Sequence, residues 1–145
     1  MIELYVNASY NSINHEFSQH MLSDASDETY CIHNWANFWV IQKGEMTSDN
    51  VTGISEKINY WKSAYSNIRT INVFFDRIDD APVETDLKNR MKGEMKFIRA
   101  WIYANLIWRY GDVPLITDLF ELNQDYKVKR DSYSDCVDFI TKELD

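Results

Sequence analysis

The sequence predicts an all-α fold of antiparallel helix pairs, interrupted by one long, irregular, aromatic-rich loop. Three observations carry this expectation. Gly and Pro number only four and two in 145 residues, too few turn-formers for a sheet of many short strands. Apolar residues recur at steps of three and four through most of the second half of the chain, the period of a helix face and not of a strand. Between Tyr30 and Trp39, aromatic residues and asparagines crowd together without a period. The length suits a single domain with one real core.

Taken in order, residues 1–10 are polar and aromatic and read as irregular. From Asn11 to Met21 the apolar positions Ile13, Phe17 and Met21 recur every four residues, one face of a short amphipathic helix. Ser23-Asp24-Ala25-Ser26-Asp27-Glu28 is a polar break. Residues 29–53 read as a long, partly extended segment, with Gly44, Asp49-Asn50 and Gly53 as loop signals. Loops of this length are uncommon unless they carry function.

A helix is predicted from about Ser55, its N-cap, to Asp79. Its apolar face is Ile58, Trp61, Tyr65, Ile68, Ile71 or Asn72, and Phe75, and Asp79-Asp80-Ala81-Pro82 ends it. The next helix spans Thr85 to Arg109. Leu87, Met91, Met95, Ile98, Ile102 and Leu106 form one stripe, and Phe97, Trp101, Ala104 and Trp108 a second. A helix apolar on most faces is buried on most sides. Gly111 is placed to adopt a left-handed C′ conformation, and Pro114 prevents continuation. The last helix, Tyr133 to Leu144, aligns Tyr133, Val137, Ile140 and Leu144, with Asp131 or Ser132 as cap. It meets the C-terminus without a stop signal, so the natural chain is expected to continue. Trp61, Ala64, Tyr65 and Ile68 resemble the first helix of a tetratricopeptide unit. Only one such pair is visible.

The net charge of −8 repels a phosphate backbone, and no basic stripe offsets it. Nucleic acid is therefore excluded as a partner. No apolar run reaches about 18 residues, so no transmembrane helix is predicted. Met1-Ile2-Glu3-Leu4-Tyr5 lacks a basic segment followed by an apolar one, so the chain is either cytosolic or begins after a removed leader. Cys31 and Cys136 form one disulfide or remain two free thiols. His15, His20 and His33 show no metal-ligand spacing. Asp24, Asp27 and Glu28 do not follow the alternation of a calcium loop and read as a solvated turn. No nucleophile elbow, phosphate-cradling glycine loop or His-Glu-x-x-His motif occurs. The chain reads as a non-enzyme without cofactor or metal.

Arg99 and Arg109 interrupt the apolar half of the long helix. A buried guanidinium needs acceptors, and Glu94 and Asp112 are the expected partners. The candidate ligand surface is the aromatic loop. A sugar ring offers a flat face of C–H groups to an aromatic ring and hydroxyls to amides. Tyr30, Asn34, Trp35, Asn37 and Trp39 supply both chemistries within a short stretch. The competing assignment for these aromatics is core packing.

One long motif goes further. Residues 90–117 contain Gly93-Glu94-Met95-Lys96-Phe97-Ile98-Arg99-Ala100, an aromatic-rich helix, and then Tyr110-Gly111-Asp112-Val113-Pro114-Leu115. This resembles the hallmark of the SusD/RagB family, roughly Gly-Glu-Ala-x-Phe-Leu-Arg-Ala followed by Tyr-Gly-Asp-Val-Pro-Leu. Met95 and Ile98 are mild departures. Ser26-Asp27-Glu28 is similar to the family's early Ser-Asp-Glu. Trp61, Tyr65, Ile68 and Asn72 resemble its Trp-x-x-x-Tyr-x-x-Ile helix, and Asp131-Ser132-Tyr133 through Leu144 its following helix.

The resemblance implies an exported, lipid-anchored, tetratricopeptide-like helical protein of the outer membrane. It implies a non-enzyme that captures glycans or peptides for a SusC-like, TonB-dependent transporter. Gly93, Glu94, Arg99, Arg109, Gly111, Asp112 and Pro114 are then scaffold residues, and no ligand residue is carried over. Family members are several times longer and carry a lipid-accepting Cys that this chain lacks. The 145 residues are therefore expected to be one N-terminal helical segment, exposing an apolar patch around Trp101, Tyr103 and Trp108 and tending to associate. The alternative is a tetratricopeptide-type interaction module without a small ligand.

Overall fold

The computed structural model describes residues 2–13, 23, 26–30, 32, 38–47, 49–50, 60–120 and 127–145. Among them the architecture is all-α: α1 (Ile2–Ser9), a 3-10 turn (Tyr10–Ser12), α2 (Trp39–Gln42), α3 (Trp61–Arg77), α4 (Thr85–Tyr110) and α5 (Tyr133–Leu144). One isolated antiparallel bridge, Val113 with Asp131, is the only β pairing among the described residues. The chain divides into two compact units, residues 1–13 with 64–145, and residues 14–63.

In the larger unit α3 buries Ala64, Ile68, Ile71, Asn72 and Phe74, the spacing of one helical face. Tyr60 is not helical, so this helix starts at Trp61 and not near Ser55, which lies outside the described residues. It is followed by Ile78, whose N–H still bonds the Phe74 carbonyl, and then by the predicted Asp-Asp-Ala-Pro turn. α4 matches its expected span and buries Met91, Met95, Ile98, Ile102 and Leu106. α5 matches too. Ser132 is its cap, Oγ accepting from the Asp135 N–H at 3.2 Å, which satisfies one of the amides left unpaired at a helix start.

α4 packs most closely against α5, which runs back along it. The connection between them is held by side chains. Tyr65 Oη donates to the Pro114 carbonyl at 2.9 Å, and Asn72 Nδ2 donates to the Ile116 carbonyl at 3.0 Å. Tyr103 Oη accepts from the Ile116 N–H at 2.8 Å, and Asp131 Oδ2 accepts from the Leu115 N–H at 2.7 Å. An extended segment with no sheet partner must satisfy its backbone in this way if it is to be buried.

Two regions differ from expectation. Residues 2–9 form α1 and are not irregular. Tyr5 stacks on Phe74 with ring centroids 6.5 Å apart and donates to the Thr70 carbonyl at 2.8 Å, and Glu3 pairs with Arg90 at 3.3 Å. Tertiary contacts, not a long apolar period, hold this two-turn helix. The predicted helix from Asn11 is a 3-10 turn at its start, with Ile13 extended; Phe17 and Met21 lie outside the described residues.

Candidate functional site

The smaller unit carries the candidate site. Its local frame is α2, a single turn preceded by the buried Phe38 and containing the buried Val40. The turn ends in a Schellman motif: the Gly44 N–H bonds the Ile41 carbonyl at 2.9 Å and the Glu45 N–H bonds the Val40 carbonyl at 2.8 Å. Gly44 has φ +69°, the conformation that favours glycine at this position. With Phe38 and Val40 inward, Trp39, Gln42 and Lys43 line an open cleft.

The opposite wall is Ser26, Asp27, Glu28, Thr29 and Tyr30, and the cleft has a volume of about 710 Å³, the size of a small-ligand site. A serine turn shapes this wall. Ser26 Oγ donates to the Ser23 carbonyl at 2.8 Å and accepts from the Glu28 N–H at 3.2 Å. Gln42 Nε2 donates to the Thr29 carbonyl at 3.0 Å, tying the walls together. The Lys43 ammonium lies 4.8 Å from the centre of the Trp39 ring, a cation–π contact. The cleft thus presents two aromatic rings, two carboxylates, an ammonium and hydroxyls. That inventory serves a ligand with apolar faces and hydroxyl edges.

Of the five predicted ligand residues, the structure brings together Tyr30 and Trp39. Asn34, Trp35 and Asn37 lie outside the described residues, as do Cys31, Asp24 and the three histidines. The residues not anticipated as lining the cleft are Gln42 and Lys43. Their signal in the sequence is Gly44, which reads as a helix C′ residue once the turn before it is recognised. Asp27 and Glu28, expected as a solvated turn, are exposed and also line the cleft. Among the described residues no group of His, Cys, Asp and Glu is arranged to hold a metal ion.

The motif residues occupy the larger unit. Arg99 is buried, but its partners are not Glu94 or Asp112. Nε donates to Glu143 Oε2 at 2.6 Å and Nη1 to Asn72 Oδ1 at 2.9 Å, while the guanidinium lies 4.5 Å from the centre of the Phe75 ring. Arg109 Nη1 donates to Asn105 Oδ1 at 2.9 Å, and its guanidinium stacks on Trp108. Glu94 instead pairs with Arg90 at 3.1 Å. Asp112 Oδ1 accepts from the Tyr133 N–H at 2.9 Å, at the start of α5. Each expected partner has a nearer donor. Gly111 has φ +69° and ψ −126°, a positive-φ conformation other than the left-handed helical one expected. Pro114 offers its carbonyl to Tyr65. Cys136 is a free, buried thiol, whose pKa burial raises.

No helix among the described residues is long and apolar enough to cross a membrane. Among curated proteins no relative matches the sequence. A solved structure of a SusD-like protein from Bacteroides fragilis superposes with a TM-score of 0.79 at 26% identity, over 99% of this chain and 27% of that one. The chain therefore spans about a quarter of that protein's length. A family model for SusD-like proteins, described as starch-binding and associating with the outer membrane, matches residues 1–145. With the helical frame and a family model matching residues 1–145 in agreement, the chain belongs to the SusD-like family.

Proposed function

We propose that this chain is a non-enzymatic glycan- or nutrient-binding part of a SusC–SusD-type uptake system. It acts there as the N-terminal helical segment of a surface lipoprotein of the outer membrane. Its partner is a SusC-like, TonB-dependent transporter. The observation that carries the ligand assignment is the cleft in which Trp39 and Tyr30 stand with Asp27, Glu28 and Lys43. Aromatic rings cover the C–H face of a sugar, and the charged groups reach its hydroxyls. Asn34, Trp35 and Asn37 are proposed as further ligand residues on the ground of their side-chain chemistry in the sequence alone.

Titration calorimetry with maltoheptaose and a panel of other oligosaccharides tests the assignment. Trp39→Ala is expected to lower glycan affinity at least tenfold while leaving the melting temperature within a few degrees. No heat with any glycan, or a large loss of stability on substitution, sinks the ligand reading. A second reading, a tetratricopeptide-type interaction module without a small ligand, draws on the exposed aromatic face of α4, where Trp108 is 74% exposed.

A further inference from the structure

The cleft that carries the proposed function already holds a cation of its own. Lys43 stands four residues after Trp39, and its N–H bonds the Trp39 carbonyl at 2.9 Å, so the two side chains share one face of the α2 turn. A helical side chain leans back toward the N-terminus, and the Lys43 ammonium accordingly lies 4.8 Å from the centre of the Trp39 ring. Lys43 is exposed and Trp39 half-buried. The ammonium therefore lies on the solvent side of the ring, where a ligand would stack.

The rest of the cleft has the chemistry that attracts an organic cation. Tyr30 and Trp39 offer aromatic rings, and Asp27 and Glu28 offer carboxylates from the opposite wall. Ring faces and carboxylates both draw ammonium groups. The wall itself is fixed, since Ser26 Oγ accepts from the Glu28 N–H at 3.2 Å and Gln42 Nε2 donates to the Thr29 carbonyl at 3.0 Å. Among the described residues no ion pair joins Lys43 to either carboxylate. The ring, and not a carboxylate, is what positions the Lys43 ammonium.

We propose that Lys43 is the specificity-determining residue of this cleft. It fills the cation position over Trp39 with the protein's own ammonium, and so admits neutral sugar rings while rejecting amino-bearing ones. The inference rests on the reading of the cleft as a ligand site. A neutral ring displaces the ammonium from Trp39 at the cost of one exposed cation–π contact, about a two- to fivefold loss of affinity. A protonated amino sugar meets that cost and, in addition, the repulsion of a like charge beside the ring. Discrimination of this kind comes from a clash built against the wrong ligand more than from new contacts to the right one. Without Lys43, the two rings and two carboxylates favour the amino sugar.

Titration calorimetry at about pH 6 compares maltoheptaose with a glucosamine hexamer, whose amines are then protonated. Lys43→Ala is expected to raise affinity for the hexamer at least about tenfold, and for maltoheptaose only about two- to fivefold. Lys43→Arg, which keeps a cation able to stack on the ring, behaves as the unsubstituted chain. Melting temperatures stay within a few degrees, because residue 43 is exposed. In the free protein the Lys43 side-chain methylene protons show an upfield ring-current shift that Trp39→Ala removes. Equal gains for the two ligands, no gain for the hexamer, a Lys43→Arg variant that gains as Lys43→Ala does, or an absent ring-current shift overturns the proposal. Maltoheptaose that binds none of the three proteins, with the hexamer behaving as expected, sinks the neutral-glycan reading and still supports the exclusion of amino-bearing ligands by Lys43.

Discussion

Arg99 Nε meets Glu143 Oε2 at 2.6 Å, with both side chains about nine-tenths removed from solvent, and this pair ties the family motif of α4 to the last turn of α5. Asn72 of α3 completes the arrangement by accepting from Nη1. Removing one member of a buried pair strands the other, which typically costs about 3 kcal/mol or more, whereas replacing both by apolar residues is often near neutral. Arg99→Met and Glu143→Leu are each expected to lower unfolding stability by about 3 kcal/mol. The double variant should recover most of that loss. Urea denaturation of all four proteins measures the coupling, and simple additivity contradicts it.

Asn72 also bonds the carbonyls of Ile116 and Asp118 through Nδ2. Asn72→Ala leaves these acceptors and one Arg99 donor without their partner, at a cost of about 2 kcal/mol. Amide exchange should accelerate over residues 115–118 more than in the middle of α4. Uniform acceleration means that Asn72 acts only through global stability.

Two glycines of the motif predict opposite outcomes. Gly93 lies inside α4 with open space where a Cβ would stand, so Gly93→Ala should stabilise by about 0.5–1 kcal/mol through helix propensity. Gly111 has φ +69° and ψ −126°, which a side chain disfavours. Gly111→Ala should therefore destabilise by about 1–3 kcal/mol. Thermal melts of the two variants should move in opposite directions.

Burial pushes the phenol pKa values of Tyr65 and Tyr103 well above the usual value. For a group whose folded pKa is raised, the stabilising contribution is complete below the unfolded pKa, about 10 for tyrosine. It is lost as pH rises from there through the folded value. Helicity should therefore fall above about pH 10. Tyrosinate absorbance from these two residues should appear together with that loss and not before it. Complete tyrosine ionisation in a protein that keeps its helical signal contradicts the assignment.

The long helices were legible because their apolar residues repeat over many turns. α4 and α5 have the expected spans, and Ser132 caps α5. α1 was not legible: two turns built around Tyr5 and Val6 carry too short a period, and their stability comes from Phe74, Thr70 and Arg90. Tyr103 was expected with Trp101 and Trp108 in an exposed patch, yet it is fully buried and clamps Ile116. It faces α5 and the extended segment, not the outward stripe. Of the candidate site, Tyr30 and Trp39 could be named from aromatic crowding, whereas Gln42 and Lys43 follow only once α2 is seen.

The sequence by itself determined the helical class, the extents of α4 and α5 and the family motif. These depend on local periodicity and turn chemistry, which are written along the chain. Tertiary structure alone decided which acidic residue Arg99 meets, because many carboxylates are available and the chosen one lies 44 residues away. It also decided that Ser26–Tyr30 stands across a cleft from Trp39. Such pairings depend on where helices cross and turns close, and no spacing along the chain encodes them.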